Sequence, residues 1–250
     1  MKYLLSSAIV ALTFCHLSSA QADEVTLVAP GGIRVAMEKL IPAFEQKTGH
    51  KVTATFGSGG GTRQKVVSDE PFDLAIVQPP LQEVLASGHV VAGSETPLAT
   101  IAVAVAVRKG ASEPDISTPE AVKRMLLAAK AISYSDGATG NVAGVSIDET
   151  LKKLGIAEQM KPKIKRGPGG AMALVAKDEV DIGLAFLSEI TDPGVEVVGP
   201  LPREISTPTP LVGFLSARAK APEAAKAFLT YLSSSDAATV YKACGMQPGR

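Results

Sequence analysis

Thr55-Phe56-Gly57-Ser58-Gly59-Gly60-Gly61-Thr62-Arg63 is the stretch around which the rest of the chain reads. The apolar run Val52–Phe56 predicts a strand, the four glycines and Ser58 a turn, and Thr62 the opening of a helix with Arg63 in its first turn. Glycine lets backbone approach a ligand closely, and a helix start presents unpaired N–H groups at the positive end of its dipole. Ser58, Gly59, Thr62 and Arg63 therefore outline an anion site.

The same order of strand, small-residue turn and helix start recurs three times. Val28-Ala29-Pro30-Gly31-Gly32 precedes a helix from Ile33, Ser135-Asp136-Gly137-Ala138-Thr139-Gly140 precedes Asn141, and Arg166-Gly167-Pro168-Gly169-Gly170 precedes Ala171. One such loop is most simply a chain reversal. Four of them, all at carboxyl ends of strands, are expected to converge on one small acid.

The candidate ligand-binding residues are Gly32 and Arg34 from the first turn, Ser58, Gly59, Thr62 and Arg63 from the second, Ser135 and Thr139 from the third, and Arg166 and Gly169 from the fourth. Gln78, at the end of a strand, joins them as a donor. Each has a plainer reading beside it: a helix cap for Ser58 and Thr62, solvated side chains for the arginines, a loop role for Gln78. Asp136 is the candidate acid–base group, although Asp before Gly commonly turns its side chain onto its own backbone, and that reading is preferred. Tyr134 and Ser188 are further candidates.

The first residues read as an export signal. Lys2 supplies the positive end, Leu4–Phe14 the apolar run and Ala20-Gln21-Ala22 the cleavage site, with Asp23 as the mature N-terminus. Cleavage after Ala22 leaves roughly 230 residues, enough for one large or two small domains. Of the 25 basic and 25 acidic residues only Lys2 is lost, so no basic field for nucleic acid or membrane remains. Cys15 leaves with the signal, and Cys244 alone excludes an internal disulfide and a cysteine-rich metal site. His50 and His89 follow helix-ending glycines and share no ligand spacing, so neither metal nor cofactor is expected. No serine lies in a nucleophile-elbow sequence, which argues against a hydrolase.

Strands and helices alternate along the chain, predicting an α/β fold with parallel pairing. Strands are expected at Val25–Ala29, Lys51–Phe56, Phe72–Val77, Thr100–Arg108, Ala131–Tyr134, Lys163–Lys165, Asp181–Phe186 and Leu211–Ser216. Helices fall between them, Thr118 capping one that has Pro119 at its first position. Val195–Pro210, with four prolines and Pro193 just before it, reads as an irregular crossing. The expected organisation is a first lobe of residues 23–98 plus 211–250, a second lobe of residues 99–210, and a ligand cleft between them.

Several segments carry a resemblance: Ala43-Phe44-Glu45 with Thr48-Gly49, the turn Gly57–Gly61, Phe72-Asp73-Leu74-Ala75, Gly140 through Leu154-Gly155-Ile156, Asp181-Ile182-Gly183, and the ending Cys244-Gly245-Met246-Gln247-Pro248. In this order the chain resembles the periplasmic molybdate-binding proteins, a branch of the type II solute-binding proteins of ABC transporters, over nearly its whole mature length. The resemblance implies a two-lobed fold in the periplasm, a small anionic ligand, an ABC transporter permease as partner, and a monomer without membrane insertion. The family's first turn supplies a serine hydroxyl where this chain has Pro30-Gly31-Gly32, and its late tyrosine is replaced around Phe186-Leu187. Arg34, Arg63 and Arg166 beside the turns suit planar carboxylates more than a tetrahedral oxyanion, so a di- or tricarboxylate is expected rather than molybdate. Bacterial aconitate isomerase is similar to these binding proteins, and the alternative is thus cis/trans-aconitate interconversion by a 1,3-proton shift in the same cleft.

Overall fold

The computed structural model describes residues 22–167 and 169–249; the expected export signal and Pro168 lie outside the described residues. The chain runs β1 (Glu24–Pro30), α1 (Arg34–Thr48), β2 (Lys51–Gly57), α2 (Gly59–Val67), β3 (Leu74–Val77), α3 (Gln82–Ala86), β4 (Thr96–Ile101), β5 (Val103–Arg108), α4 (Pro119–Ala128) and β6 (Ile132–Ser133). It continues through α5 (Val142–Lys153), α6 (Ala157–Met160), α7 (Gly170–Ala176), β7 (Ile182–Phe186), β8 (Val195–Pro200), β9 (Thr209–Leu215), α8 (Pro222–Leu232), α9 (Ser235–Ala243) and β10 (Gln247–Pro248).

Two sheets organise two lobes. The larger has the order β10-β4-β9-β3-β1-β2, the smaller β6-β7-β5-β8. Strands β1, β2 and β3 pair in parallel, as do β6 and β7, in keeping with helical crossovers between them. The expectation of parallel pairing fails elsewhere, because β9 runs antiparallel to both β3 and β4, and β5 antiparallel to both β7 and β8.

Helix α1 shows how sequence builds the first lobe. Ala36, Met37, Leu40 and Phe44 form one buried stripe, and Gly49 at φ 80° ends the helix by a left-handed cap. Phe44 packs on Phe228 of α8 with ring centroids 4.7 Å apart. Thr118 caps α4 through Ala121 N–H with Pro119 inside the first turn, as its sequence indicates.

Three expected elements differ. Thr100–Arg108 is not one strand: the extended chain leaves the first sheet after Ile101, passes Ala102 and enters the second sheet at Val103. The boundary expected after Leu98 falls inside β4, and Thr209 and Pro210 already belong to β9. Residues Val195–Pro200, expected to be irregular, pair along β5, since three of the first four residues are β-branched valines and the only proline stands at the strand's end. Lys163–Lys165 forms no strand; Pro162 sits in a tight turn, and Ile164 alone bridges to Ile132.

Candidate functional site

The glycine turn begins its helix three residues earlier than its propensities indicate. Ser58, extended at φ −67° and ψ 156°, accepts the Gly61 N–H on Oγ at 3.0 Å, so α2 opens at Gly59 with three glycines in its first turn. The cap and the packing of the lobe outweigh the poor helix propensity of glycine. Thr62 is buried and turns its hydroxyl back onto the Ser58 carbonyl at 2.9 Å. Arg63 is half-buried rather than solvated: its Nη1 donates to the carbonyls of Gln78 at 3.1 Å and Pro79 at 3.0 Å, lashing α2 to the end of β3. Burial lowers its pKa.

Gln78 stands where two turns meet. Its side chain is 2% exposed, and its Nε2 has no hydrogen-bond partner among the described residues. A Cβ on Gly59 would collide with Gln78 Oε1 and Val142, and one on Gly32 would lie 2.7 Å from Ile101 Cδ1 and 3.8 Å from Gln78 Nε2. A side chain at Gly59 would have to displace both neighbours, and one at Gly32 the tip of Ile101.

The two lobes touch at these turns. Gly60 N–H donates to the Gly140 carbonyl at 2.9 Å, and Ser188 Oγ donates to the buried Gly32 carbonyl at 2.7 Å. Thus Gly32, Ser58, Gly59 and Gln78 from the first lobe gather against Gly140, Val142 and Ser188 from the second. Beside this contact Ser135, Gly169 and Gly170 line a cavity of about 390 Å³.

The remaining candidates are placed less centrally. Asp136 Oδ1 accepts the Ala138 N–H at 3.0 Å and its Oδ2 lies 3.8 Å from Arg166 Nε, so it serves as cap and ion-pair partner. Thr139 donates to the Asp136 carbonyl at 2.7 Å and is exposed. Arg166 donates from Nη1 to the Tyr134 carbonyl and stacks over the Tyr134 ring, 4.6 Å from its centroid. Tyr134 in turn donates to Asp148 at 2.7 Å, with burial raising the pKa of its phenol. Arg34 is exposed and lies 4.5 Å over the Phe56 ring. Every one of these arginines has a partner within the protein.

Sequence reasoning passed over Glu189. It follows the end of β7 in the turn Leu187–Glu189, held to the first lobe by its neighbour Ser188. Its carboxyl lines the same cavity, and Oε1 lies 3.5 Å from the position a Cβ would take on Gly31. Burial pushes its pKa up to about 7 against the lowering effect of the Phe186 N–H. Among the described residues no cation pairs with it. The one available signal was an acidic residue just past the carboxyl end of a buried apolar strand, the place where the four turns also lie.

Two α/β lobes that meet at strand-end turns are the architecture of solute-binding proteins. The chain belongs to the family described as bacterial extracellular solute-binding protein, whose model matches residues 25–247. It is 33% identical to the aconitate isomerase of a Pseudomonas species over 241 residues, covering 93% of this chain and 90% of that protein. It is 29% identical to the molybdate-binding protein ModA of Azotobacter vinelandii over 253 residues, 98% of each. The solved periplasmic molybdate-binding protein of that organism superposes with a TM-score of 0.74 at 18% identity, covering 90% of this chain and all of that one. The resemblance read from the sequence holds at the level of family and fold.

Proposed function

We propose that this protein captures a small carboxylate anion, of the di- or tricarboxylate class, in the cleft between its lobes. The observation that carries the reading is the buried, unpaired Nε2 of Gln78 at the junction of the Gly32 and Gly59 turns. A buried donor without a partner costs free energy that a ligand oxygen would recover. Ser58 Oγ, which accepts from Gly61, still has its own proton to give. Arg63 and Arg166 spend only part of their five donors on carbonyls and Asp136, and the rest suit a planar carboxylate. On this reading the protein works in the periplasm, and an ABC transporter permease receives its cargo.

Melting the purified protein with molybdate, sulfate, citrate and trans-aconitate tests this. At a hundredfold excess over Kd a ligand stabilises by about 2.7 kcal/mol, which for a chain of this size raises Tm by roughly 5–10 °C. A tricarboxylate is expected to give the largest rise, and Gln78→Met to diminish it. A largest rise with molybdate would overturn the carboxylate reading, and no rise with any anion would overturn the cleft as a binding site.

A second reading is isomerisation of an unsaturated tricarboxylic acid by a 1,3-proton shift. It is favoured by the presence of an unneutralised carboxyl, Glu189, in the second-lobe cavity beside Gly31, and by the 33% identical relative named aconitate isomerase.

A further inference from the structure

We infer that Glu189 is the group that carries a proton between two carbons of the bound acid, taking it from a CH₂ and returning it to the far end of an adjacent carbon–carbon double bond. The inference rests on the reading of the cleft as a carboxylate site. Its substrate class is a carboxylic acid whose CH₂ lies next to a carboxylate-bearing C=C.

Geometry selects Glu189 from the carboxyls nearby. Asp136 is occupied as a turn cap and by Arg166, and Asp192 accepts the Gly194 N–H at 2.8 Å. Glu189 reaches from the second lobe toward Gly31 of the first, so its carboxyl stands between the second-lobe cavity it lines and a first-lobe turn. The Ser188 hydrogen bond to the Gly32 carbonyl fixes the short turn that presents it. A carboxyl tuned by burial to about 7 is divided near neutrality between the form that accepts a proton and the form that gives one.

The step balances without a co-reactant. The Glu189 carboxylate removes a CH₂ proton, and the C–H electron pair becomes a new C=C bond. The old π pair then takes the proton from the Glu189 carboxylic acid at the opposite terminus. The charge that develops on the flanking carboxylate is met by the unpartnered Nε2 of Gln78.

The test follows purified protein with trans-aconitate in deuterated buffer by proton spectroscopy, with Tm recorded in parallel. The cis isomer is expected to appear, with deuterium at the methylene carbon to the extent that the Glu189 proton exchanges with solvent, and its formation is slowed about 10²–10⁴-fold in Glu189→Gln while the ligand-induced rise in Tm persists. The rate should climb as pH rises through about 7. Asp192, which lines the cavity, and Asp136 and Arg166 beside it are the other charged groups present, and Asp192→Asn should leave that profile in place. A rise in Tm without isomerisation would overturn the inference and leave the binding reading standing. Isomerisation undiminished in Glu189→Gln would overturn it in favour of another base. Neither isomerisation nor a rise in Tm with trans-aconitate, cis-aconitate or citrate would overturn both.

Discussion

Glu189 exacts a cost in stability whose sign is fixed. Its pKa in the fold is raised to about 7 from 4.5, so between those pH values the unfolded chain has released a proton that the folded chain retains. Stability from this residue is therefore greatest in acid, declines as pH rises across that window and levels off above it. Glu189→Gln removes the dependence. The variant is expected to melt above the wild type at pH 8 and not above it at pH 4, as calorimetry at the two pH values would show; an equal difference at both would contradict the burial of the group. At this scale the sequence was only partly legible. Ser58 and Thr62 stood out because small hydroxyl residues in a glycine turn have few roles, and both prove to serve the helix start. Glu189 escaped notice because nothing local distinguishes a carboxylate folded into a cleft from one on the surface; the Gly31 turn that borders it is more than 150 positions away.

Among the elements, α2 offers the sharpest check. Ser58→Ala removes the acceptor for Gly61 N–H and should cost about 1 kcal/mol, while Ser58→Gly should cost only a few tenths, read as shifts in urea midpoint at constant slope. Equal effects would mean that the cap contributes nothing. Helices α1, α4 and α5 were readable from apolar stripes that agree with a terminal signal, Gly49 closing α1, Thr118 capping α4 and Gly155 following α5. The strands were harder. Residues 100–108 are uniformly Thr, Ile, Ala and Val before Arg108, and no local feature marks Ala102 as the place where the chain changes sheets. Likewise β8 was hidden by the prolines that surround it, though they lie just outside the residues that pair before Pro200.

For the whole molecule, the hydrogen bond from Gly60 to the Gly140 carbonyl is the point where the lobes come closest through backbone alone, and a Cβ on Gly60 would stand 3.0 Å from Gly140 Cα and O. Gly60→Val is therefore expected to hold the lobes apart. Small-angle scattering should report a larger radius of gyration than wild type with trans-aconitate present, and the ligand should no longer raise Tm; an unchanged radius would show that the turns tolerate the side chain. Alternation of strands and helices made the α/β class plain, but the antiparallel placement of β9 depends on contacts between the start and the end of the chain, which no local pattern encodes.

That placement governs when the molecule can fold. Strand β9 fills the middle of the larger sheet, between β4 and β3, and β10 completes its edge. A chain still being synthesised, with its last forty or so residues unmade, holds both flanks of that sheet and lacks the strand that joins them. Such long-range closure is slow compared with local helix formation. The smaller sheet, drawn from one continuous run of chain between Val103 and Pro200, can assemble first. The growing polypeptide thus keeps half of its architecture open until synthesis is nearly finished.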